Sequence, residues 1–345
     1  MSYVGKERPG VYSDYKSSSI LWGNPTGKTV GLVAESSKAA GSVNIITRSS
    51  DADSIFGTTG LMSKLCKIIL QNGAIKVAAV SAGTNNYDKA FDTIKSLDDI
   101  CVVVCDSENV SVHDKLKSSI VSASEDSKER IGIVSYPSSS YTSGLGSHFN
   151  CERIIVIAQS PVDSAGEKLS SCYLSAAFAG LISQNSDPSL SFNGKSLNSI
   201  FGLTSNLIED KVDEYIESGI TPFESISNQV EIIRAVSSRT TTNNITDLTF
   251  KDINTILIID YVISGIRKTL SKLLEGAKNN SSTRSAIATQ VTVELEKYKS
   301  EEIIDKYEQP SISKDSSDQS VCIVNISFEV SRGINQIYIT ADVRV

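Results

Sequence analysis

The feature of this sequence that most restricts its fold is an alternation of strand-like and helix-like segments between residues 28 and 184. Short apolar runs alternate there with amphipathic runs of about ten residues, as expected for a mostly parallel sheet covered by helices on both faces. We therefore predict an α/β domain. The predicted strands are Thr29–Ala34, Val43–Thr47, Ala74–Ser81, Ile100–Cys105, Arg130–Ser135 and Arg153–Ala158. The predicted helices are Asp51–Phe56, Leu61–Gln71, Tyr87–Leu97, Val110–Ala123 and Leu169–Ile182.

The composition changes after this region, which indicates a second domain. Residues 185–207 are rich in Ser, Asn and Gly, a composition typical of loops. The pattern downstream mixes helices and strands and predicts an α+β fold. Its predicted elements are the helices Glu209–Glu217, Phe250–Leu274 and Ser285–Tyr307 and the strands Gln229–Ser237, Cys322–Ser331 and Ile337–Val345.

The last predicted strand alternates apolar and polar residues without a break, as a half-buried strand does. A second apolar segment, 11–22, lies near the N-terminus and has no evident place in the predicted sheet. Two interpretations of the last strand remain open: a hairpin within one subunit, or an arm that completes the sheet of a neighbouring copy. The residues concerned are Val11, Tyr12 and Tyr15 in the first segment and Ile337, Tyr338, Ile339, Ala341, Val343 and Val345 in the last.

The charge and hydropathy of the chain exclude several classes of partner. A net charge of −7 argues against nucleic acid, because neutralising phosphates requires a basic surface. The most apolar run, 256–263, is interrupted by Asp260 and is too short to span a bilayer. The first ten residues lack the apolar core of a signal peptide. We therefore expect a protein made in the cytoplasm, without a membrane partner, whose six scattered cysteines are reduced.

Two features suggest catalysis, but neither forms a complete motif. The segment Gly23–Thr29 resembles a phosphate-binding loop, yet it has three residues instead of four before the Gly27-Lys28 pair and leads into a strand. The histidines, His113 and His148, lie near no nucleophile in a recognisable motif. We therefore predict no catalytic residue, no cofactor and no bound metal.

A basic cluster lies near the end of the long predicted helix and comprises Arg267, Lys268 and Lys272. Positive side chains suit the negative end of a helix dipole, so a solvated helix end is one interpretation. The other is a contact site for an acidic partner, since a positive cluster is unusual in so acidic a chain.

The order of these parts resembles that of contractile tail sheath proteins. The likeness is to the compact type found in myophages and in phage-tail-like bacteriocins of Gram-positive bacteria, clostridia among them. It covers roughly residues 190–345 and a short N-terminal motif, and the order of the motifs carries it. These motifs are Arg8-Pro9-Gly10-Val11-Tyr12, Ser218–Pro222 followed by Val230–Arg234, Thr249–Ile263 and Gly333–Val343.

The resemblance implies a structural subunit that polymerises helically, as stacked rings around an inner tube, and contracts to drive that tube through a target cell envelope. It implies four parts: an N-terminal arm at 1–25, an outer α/β domain at 26–190, an inner domain facing the tube at 191–332, and a C-terminal β-arm at 333–345. Each arm would add a strand to a neighbouring subunit. The joints would lie at Gly23 and Gly333.

The partners implied are further copies of the chain, the tail tube protein, and baseplate and tail terminator proteins. The tube would contact the basic cluster of Arg267, Lys268 and Lys272. The protein would then be a component of a virion tail or a phage-tail-like particle. Two alternatives remain: an α/β enzyme with an unrecognised active site, and a shell or surface-layer protein that exchanges strands.

Overall fold

A computed structural model describes residues 29–273 and 277–335 of the chain. Its N-terminal half is built around a six-stranded sheet in the order β2-β3-β1-β4-β5-β6. The first strand of this order pairs antiparallel with its neighbour, and every other pair is parallel. The strands are β1 Thr29–Ala34, β2 Val43–Ile46, β3 Lys76–Ser81, β4 Ile100–Cys105, β5 Ile131–Ser135 and β6 Ile154–Ile157.

Helices cover both faces of this sheet, which explains why its central strands are apolar along their whole length. All six residues of β1 are buried. The helices are α1 Ser49–Phe56, α2 Leu61–Gln71, α3 Tyr87–Ser96, α4 Val110–Glu125, α5 Leu145–Phe149 and α6 Cys172–Gln184. Helices α2 and α6 belong to one apolar core and α3 and α4 to a second on the opposite face. The predicted α/β domain is confirmed, with most element boundaries within three residues.

Seven short strands and one helix flank α6 in the sequence, the first strand before it and the other elements after it, and several of them share its apolar core. They are β7 Pro161–Val162, β8 Ser196–Leu197, β9 Gly202–Leu203, α7 Glu209–Glu217, β10 Phe223–Ile226, β11 Gln229–Ile232, β12 Thr241–Thr242 and β13 Ile245–Thr246. The ring of Phe178 in α6 meets Phe192 and Phe223 edge to face, at centroid distances of 5.6 and 6.1 Å. One apolar core therefore continues across residue 190. Strand β11 is shorter than predicted, because it pairs with β10 only as far as Ile232.

The C-terminal part contains two long helices and a twisted β-hairpin. Its elements are α8 Ile253–Leu273, α9 Ser281–Ser300, β14 Ile304–Tyr307, β15 Ser311–Lys314, β16 Cys322–Asn325 and β17 Phe328–Val330. The prediction of one helix over Ser285–Tyr307 is wrong at its end. Glu302 adopts a left-handed backbone conformation with φ 58°, which breaks the helix and lets Ile304 pair with Val330.

Candidate functional site

The most extended surface feature of the C-terminal part is a long antiparallel hairpin formed by residues 304–330, here named the C-terminal hairpin. Strand β14 pairs with β17, and β15 pairs with β16. Between the two ladders the Glu308 amide donates to the Ser327 carbonyl at 2.9 Å. Within residues 29–273 and 277–335, no third strand lies beside either pair. Both edges of the hairpin therefore present backbone groups to which an added strand can pair.

The two faces of the C-terminal hairpin differ in character. One face covers the core between α8 and α9, where Ile304 is buried and Val324, Ile326, Phe328 and Val330 are partly buried. The other face is polar and carries the Lys306–Glu329 ion pair at 2.9 Å, with both side chains exposed. The helices fix one face, so a neighbouring chain can reach the hairpin only at its edges and polar face.

The chain leaves the C-terminal hairpin through residues 331–335, here named the arm base. The Ser331 amide donates to the Ile303 carbonyl at 3.1 Å, which ends the ladder. The Asn335 side chain accepts a hydrogen bond from Asn193 at 2.9 Å and donates one to Asp252 at 3.3 Å. The arm base therefore lies against the loop before β8 and the residue that precedes α8.

Buried contacts between acidic and basic side chains connect helix α8 to the amino ends of β5 and β6. Arg153 donates to both carboxylate oxygens of Asp260, at 2.6 and 2.8 Å. Their side chains are 0% and 8% exposed, so the pair is fully enclosed. Glu129 accepts a hydrogen bond from Arg267 at 3.1 Å. These contacts join the α/β domain to the helix that supports the C-terminal hairpin.

The surroundings of these buried side chains raise the pKa values of the two carboxyl groups. Burial, together with the charge of Asp260, raises the pKa of Glu129 to about 8. Burial also raises the pKa of Asp260, although Arg153 opposes the shift. Desolvation penalises the charged form of each group and is the larger effect.

The predicted basic cluster is divided between two environments. Arg267 faces the interior, and its side chain is 13% exposed because it pairs with Glu129. Lys268 and Lys272 are exposed on α8. The positive surface that a partner can reach at this end of α8 is therefore formed by the two lysines.

The carboxyl edge of the sheet, where α/β enzymes commonly place their active sites, contains polar groups that bond to one another. Asp106, which follows β4, accepts hydrogen bonds from the Tyr87 hydroxyl at 2.8 Å and from the Glu35 amide at 2.9 Å. His113 is buried, with its Nε2 donating to the Ser107 carbonyl at 2.7 Å. Burial lowers the pKa of His113 to about 4, so this ring is a neutral part of the core at pH 7.

The residues predicted to exchange strands lie outside the described part of the chain. This applies to Val11, Tyr12, Tyr15, Gly23 and the whole of Ile337–Val345. Gly333 is described, and its backbone packs beside Ser191, whose Cβ would lie 3.4 Å from an added Cβ.

Sequence reasoning missed the contacts that fix the arm base and the ion pairs of α8. Asn193, Asp252 and Asn335 are distant in sequence and belong to no periodic pattern, so nothing in the sequence brings them together. Asp260 did give a signal, since a carboxylate that interrupts an apolar run must find a buried partner. Its partner Arg153 lies 107 residues away in sequence.

The described residues also bear on membrane insertion and metal binding. No helix in that part of the chain has the length and hydropathy required to cross a membrane. Across the same residues, no group of three or more His, Cys, Asp or Glu side chains is arranged to hold a metal ion.

Two family models match the sequence. The model described as the phage tail sheath protein central domain matches residues 80–238. The model described as the phage tail sheath C-terminal domain matches residues 246–344. A comparison with curated proteins gave no match.

Solved structures of sheath proteins share the fold. The sheath tail protein of Desulfitobacterium hafniense is 11% identical with a TM-score of 0.72, over 93% of this chain and 100% of that one. The sheath tail protein of Listeria innocua is 14% identical with a TM-score of 0.73, over 91% and 94%. The helical sheath of the anti-feeding prophage in its contracted state is 14% identical with a TM-score of 0.74, over 98% and 99%.

Proposed function

The chain belongs to the phage tail sheath family, and we propose that it polymerises helically around an inner tail tube and contracts to drive that tube through a target cell envelope. Models of the central and C-terminal domains of this family together match most of the sequence. The protein is therefore a structural subunit of a contractile sheath. We propose that it has no catalytic activity and that its function is mechanical.

The observation that carries this proposal is the C-terminal hairpin, neither edge of which has a partner strand among residues 29–273 and 277–335. Helices α8 and α9 hold one face of the hairpin in place, so it is a preformed template for an added strand. The alternating segment Ile337–Val345 has the pattern that such a strand requires. We propose that this segment, and the segment that contains Val11, Tyr12 and Tyr15, pair with hairpins of neighbouring copies.

A contact of this kind is head to tail, and repeating it without closure generates a helix. The arms join the body of the subunit near Gly23 and Gly333, so bodies can rotate while the arms keep them linked. Newly burying ~200 Å² of apolar surface per subunit would contribute about 5 kcal/mol before opposing terms. Summed along a tube, that free energy suffices to move a rigid rod.

We assign the remaining parts by the same reasoning. Residues 26–190 form the outer domain, and residues 191–332 face the tube. Exposed Lys268 and Lys272 support a contact with an acidic tube surface at the end of α8, and Arg267 beside them contributes its charge. The further partners are baseplate and tail terminator proteins, and the mature protein is part of a virion tail or phage-tail-like particle assembled in the cytoplasm of a Gram-positive, clostridial host.

Removal of residues 337–345 tests the proposal. The truncated protein should remain folded, because the described core does not include these residues, but it should form no tubes in electron micrographs. Circular dichroism of the same sample is the control for folding. A truncated protein that assembles into tubes like those of the parent would show that the C-terminal segment is not the connecting arm.

Charge reversal tests the proposed tube contact. The double variant Lys268→Glu with Lys272→Glu should weaken assembly around tubes, most strongly at low salt, where screening is least. The matched control is Lys297→Glu with Lys299→Glu, which reverses two exposed charges on the neighbouring helix α9. If the two double variants weakened assembly equally, the tube contact would not lie at the end of α8.

A further inference from the structure

The arm base is held by side chains from separate parts of the subunit. Asn193 Nδ2 donates to Asn335 Oδ1 at 2.9 Å, and Asn335 Nδ2 donates to Asp252 Oδ2 at 3.3 Å. Asn193 belongs to the loop before β8, and Asp252 precedes α8. One amide side chain thus uses both its acceptor and its donor to join the arm base to the body of the subunit.

The two partners of Asn335 are themselves fixed. The guanidinium group of Arg234 donates to both oxygens of Asp252, at 2.9 and 3.3 Å. The Ala235 amide donates to Asn193 Oδ1 at 3.4 Å. Because these contacts come from the segment after β11, the receptor for Asn335 is part of the folded core.

The side chain of Asn254 in α8 also fixes the conformation of the loop that carries Asn193. Asn254 Nδ2 donates to the carbonyl groups of Pro188 and Leu190, at 2.8 Å in each case. A cleft between this loop, α8 and the arm base leaves solvent a volume of about 20 Å³, enough to admit one water molecule. The arm base therefore contacts the body as far as Asn335, while residues 332–335 remain exposed to solvent.

The exposed fractions of residues in the arm base show that it contacts the subunit on one side only. Gly333 lies against Ser191, whereas the next side chain, Ile334, is 78% exposed. The arm base therefore has one face on the subunit and one face available to a neighbour.

We propose that Asn193, Asp252 and Asn335 form a latch that fixes the arm base to its own subunit, so that the C-terminal arm changes direction after Asn335. This inference rests on the proposed function, because it concerns the arm that would link subunits. With the latch closed, the C-terminal arm would pivot after Asn335 and not at Gly333. A strand formed by residues 336–345 would extend about 33 Å from this point.

The latch predicts a specific effect of changing Asn335. Asn335→Asp places a second carboxylate beside Asp252, and the repulsion should open the latch. Exchange of the Ser331 amide, which donates to the Ile303 carbonyl, is measured in peptides covering 331–335 of the unassembled full chain and should become about tenfold faster. Asn325→Ala, at an exposed asparagine of the C-terminal hairpin, is the matched control and should leave that exchange rate unchanged.

An exchanged pair tests whether the contact itself is responsible. In Asp252→Asn with Asn335→Asp, one carboxylate and one amide again face each other, so exchange of 331–335 should return toward the parent rate. Asn335→Asp tubes should also be shorter than parent tubes in electron micrographs, and the exchanged pair should restore their length.

Three results would overturn the latch. They are unchanged exchange in Asn335→Asp, failure of the exchanged pair to restore it, and tubes of parental length despite faster exchange. Failure of the proposed function would look different, since the protein lacking 337–345 would then form tubes whatever the state of the latch.

Discussion

The buried pair of Arg153 and Asp260 allows a sharp test of how α8 is joined to the sheet. The perturbations are Asp260→Leu, Arg153→Met and the two together. Each single change removes the two hydrogen bonds at 2.6 and 2.8 Å and leaves the other charge of the pair enclosed. The double change leaves two apolar side chains of similar volume in the same space.

The expected magnitudes follow from this geometry. Removing one partner of a buried ion pair costs about 3–5 kcal/mol, whereas replacing both by apolar groups is often neutral. We therefore expect each single variant to lose about 3–5 kcal/mol of unfolding free energy and the double variant to stay within about 1 kcal/mol of the parent. Arg153→Met should recover stability as the pH falls, because protonation removes the enclosed charge of Asp260.

The assay is urea unfolding of the full chain, followed by circular dichroism at a concentration where light scattering detects no tubes. The non-additivity of the double-variant cycle is the decisive quantity. A loss in the double variant equal to the sum of the single losses would refute the reasoning, since the two positions would then act independently. So would single losses below about 1 kcal/mol.

Three further predictions concern the core. In the parent, the folded state holds a proton on Glu129 up to a pKa of about 8, whereas the unfolded chain loses it at about 4.5. The unfolding free energy of the parent should therefore fall as the pH rises between these two values, by at most about 1.4 kcal/mol per pH unit. Glu129→Gln should remove this pH dependence, and urea midpoints measured from pH 5 to 8 check it. Phe178→Ala should cost about 3–5 kcal/mol in the same assay, and a loss below about 1 kcal/mol would contradict a core that continues past residue 190. Gly146→Ala should lower the melting temperature, because its Cβ would clash with the Ser218 carbonyl oxygen. Gly144→Ala, with nothing within 4 Å of its Cβ, is the control and should be neutral.

The α/β half of the molecule was predictable because its signal is local. Most of its strands are largely apolar runs and its longer helices have their own 3.6-residue stripes, so residues such as those of β1 and α2 identify their elements without knowledge of the partners. The same reasoning failed at the end of α9. Residues 301–307 carry no helix-stop signal such as Gly or Pro before Pro310, and the strand that replaces the helix exists because Ile304 pairs with Val330.

The candidate site was predictable in outline only. Strand periodicity indicated one side of the C-terminal hairpin, Cys322–Ser331, and the last strand, but it missed β14 and β15 and contains no information about which edge lacks a partner strand. The contacts of Asn335 and the pairing of Arg153 with Asp260 join residues that are far apart in sequence. Such contacts depend on the fold as a whole, so they become visible only in three dimensions.

The antiparallel ladder of the C-terminal hairpin determines how a sheath subunit responds to pulling. Cross-strand hydrogen bonds lie perpendicular to the strands, and here they extend from the Ile304–Val330 pair to the Lys314–Cys322 pair. A force along the strands shears all of these bonds together, whereas a force across them peels the bonds apart one after another. A strand added to either edge would share this anisotropy, so the junction between subunits would resist tension along the hairpin and yield most readily to sideways tearing.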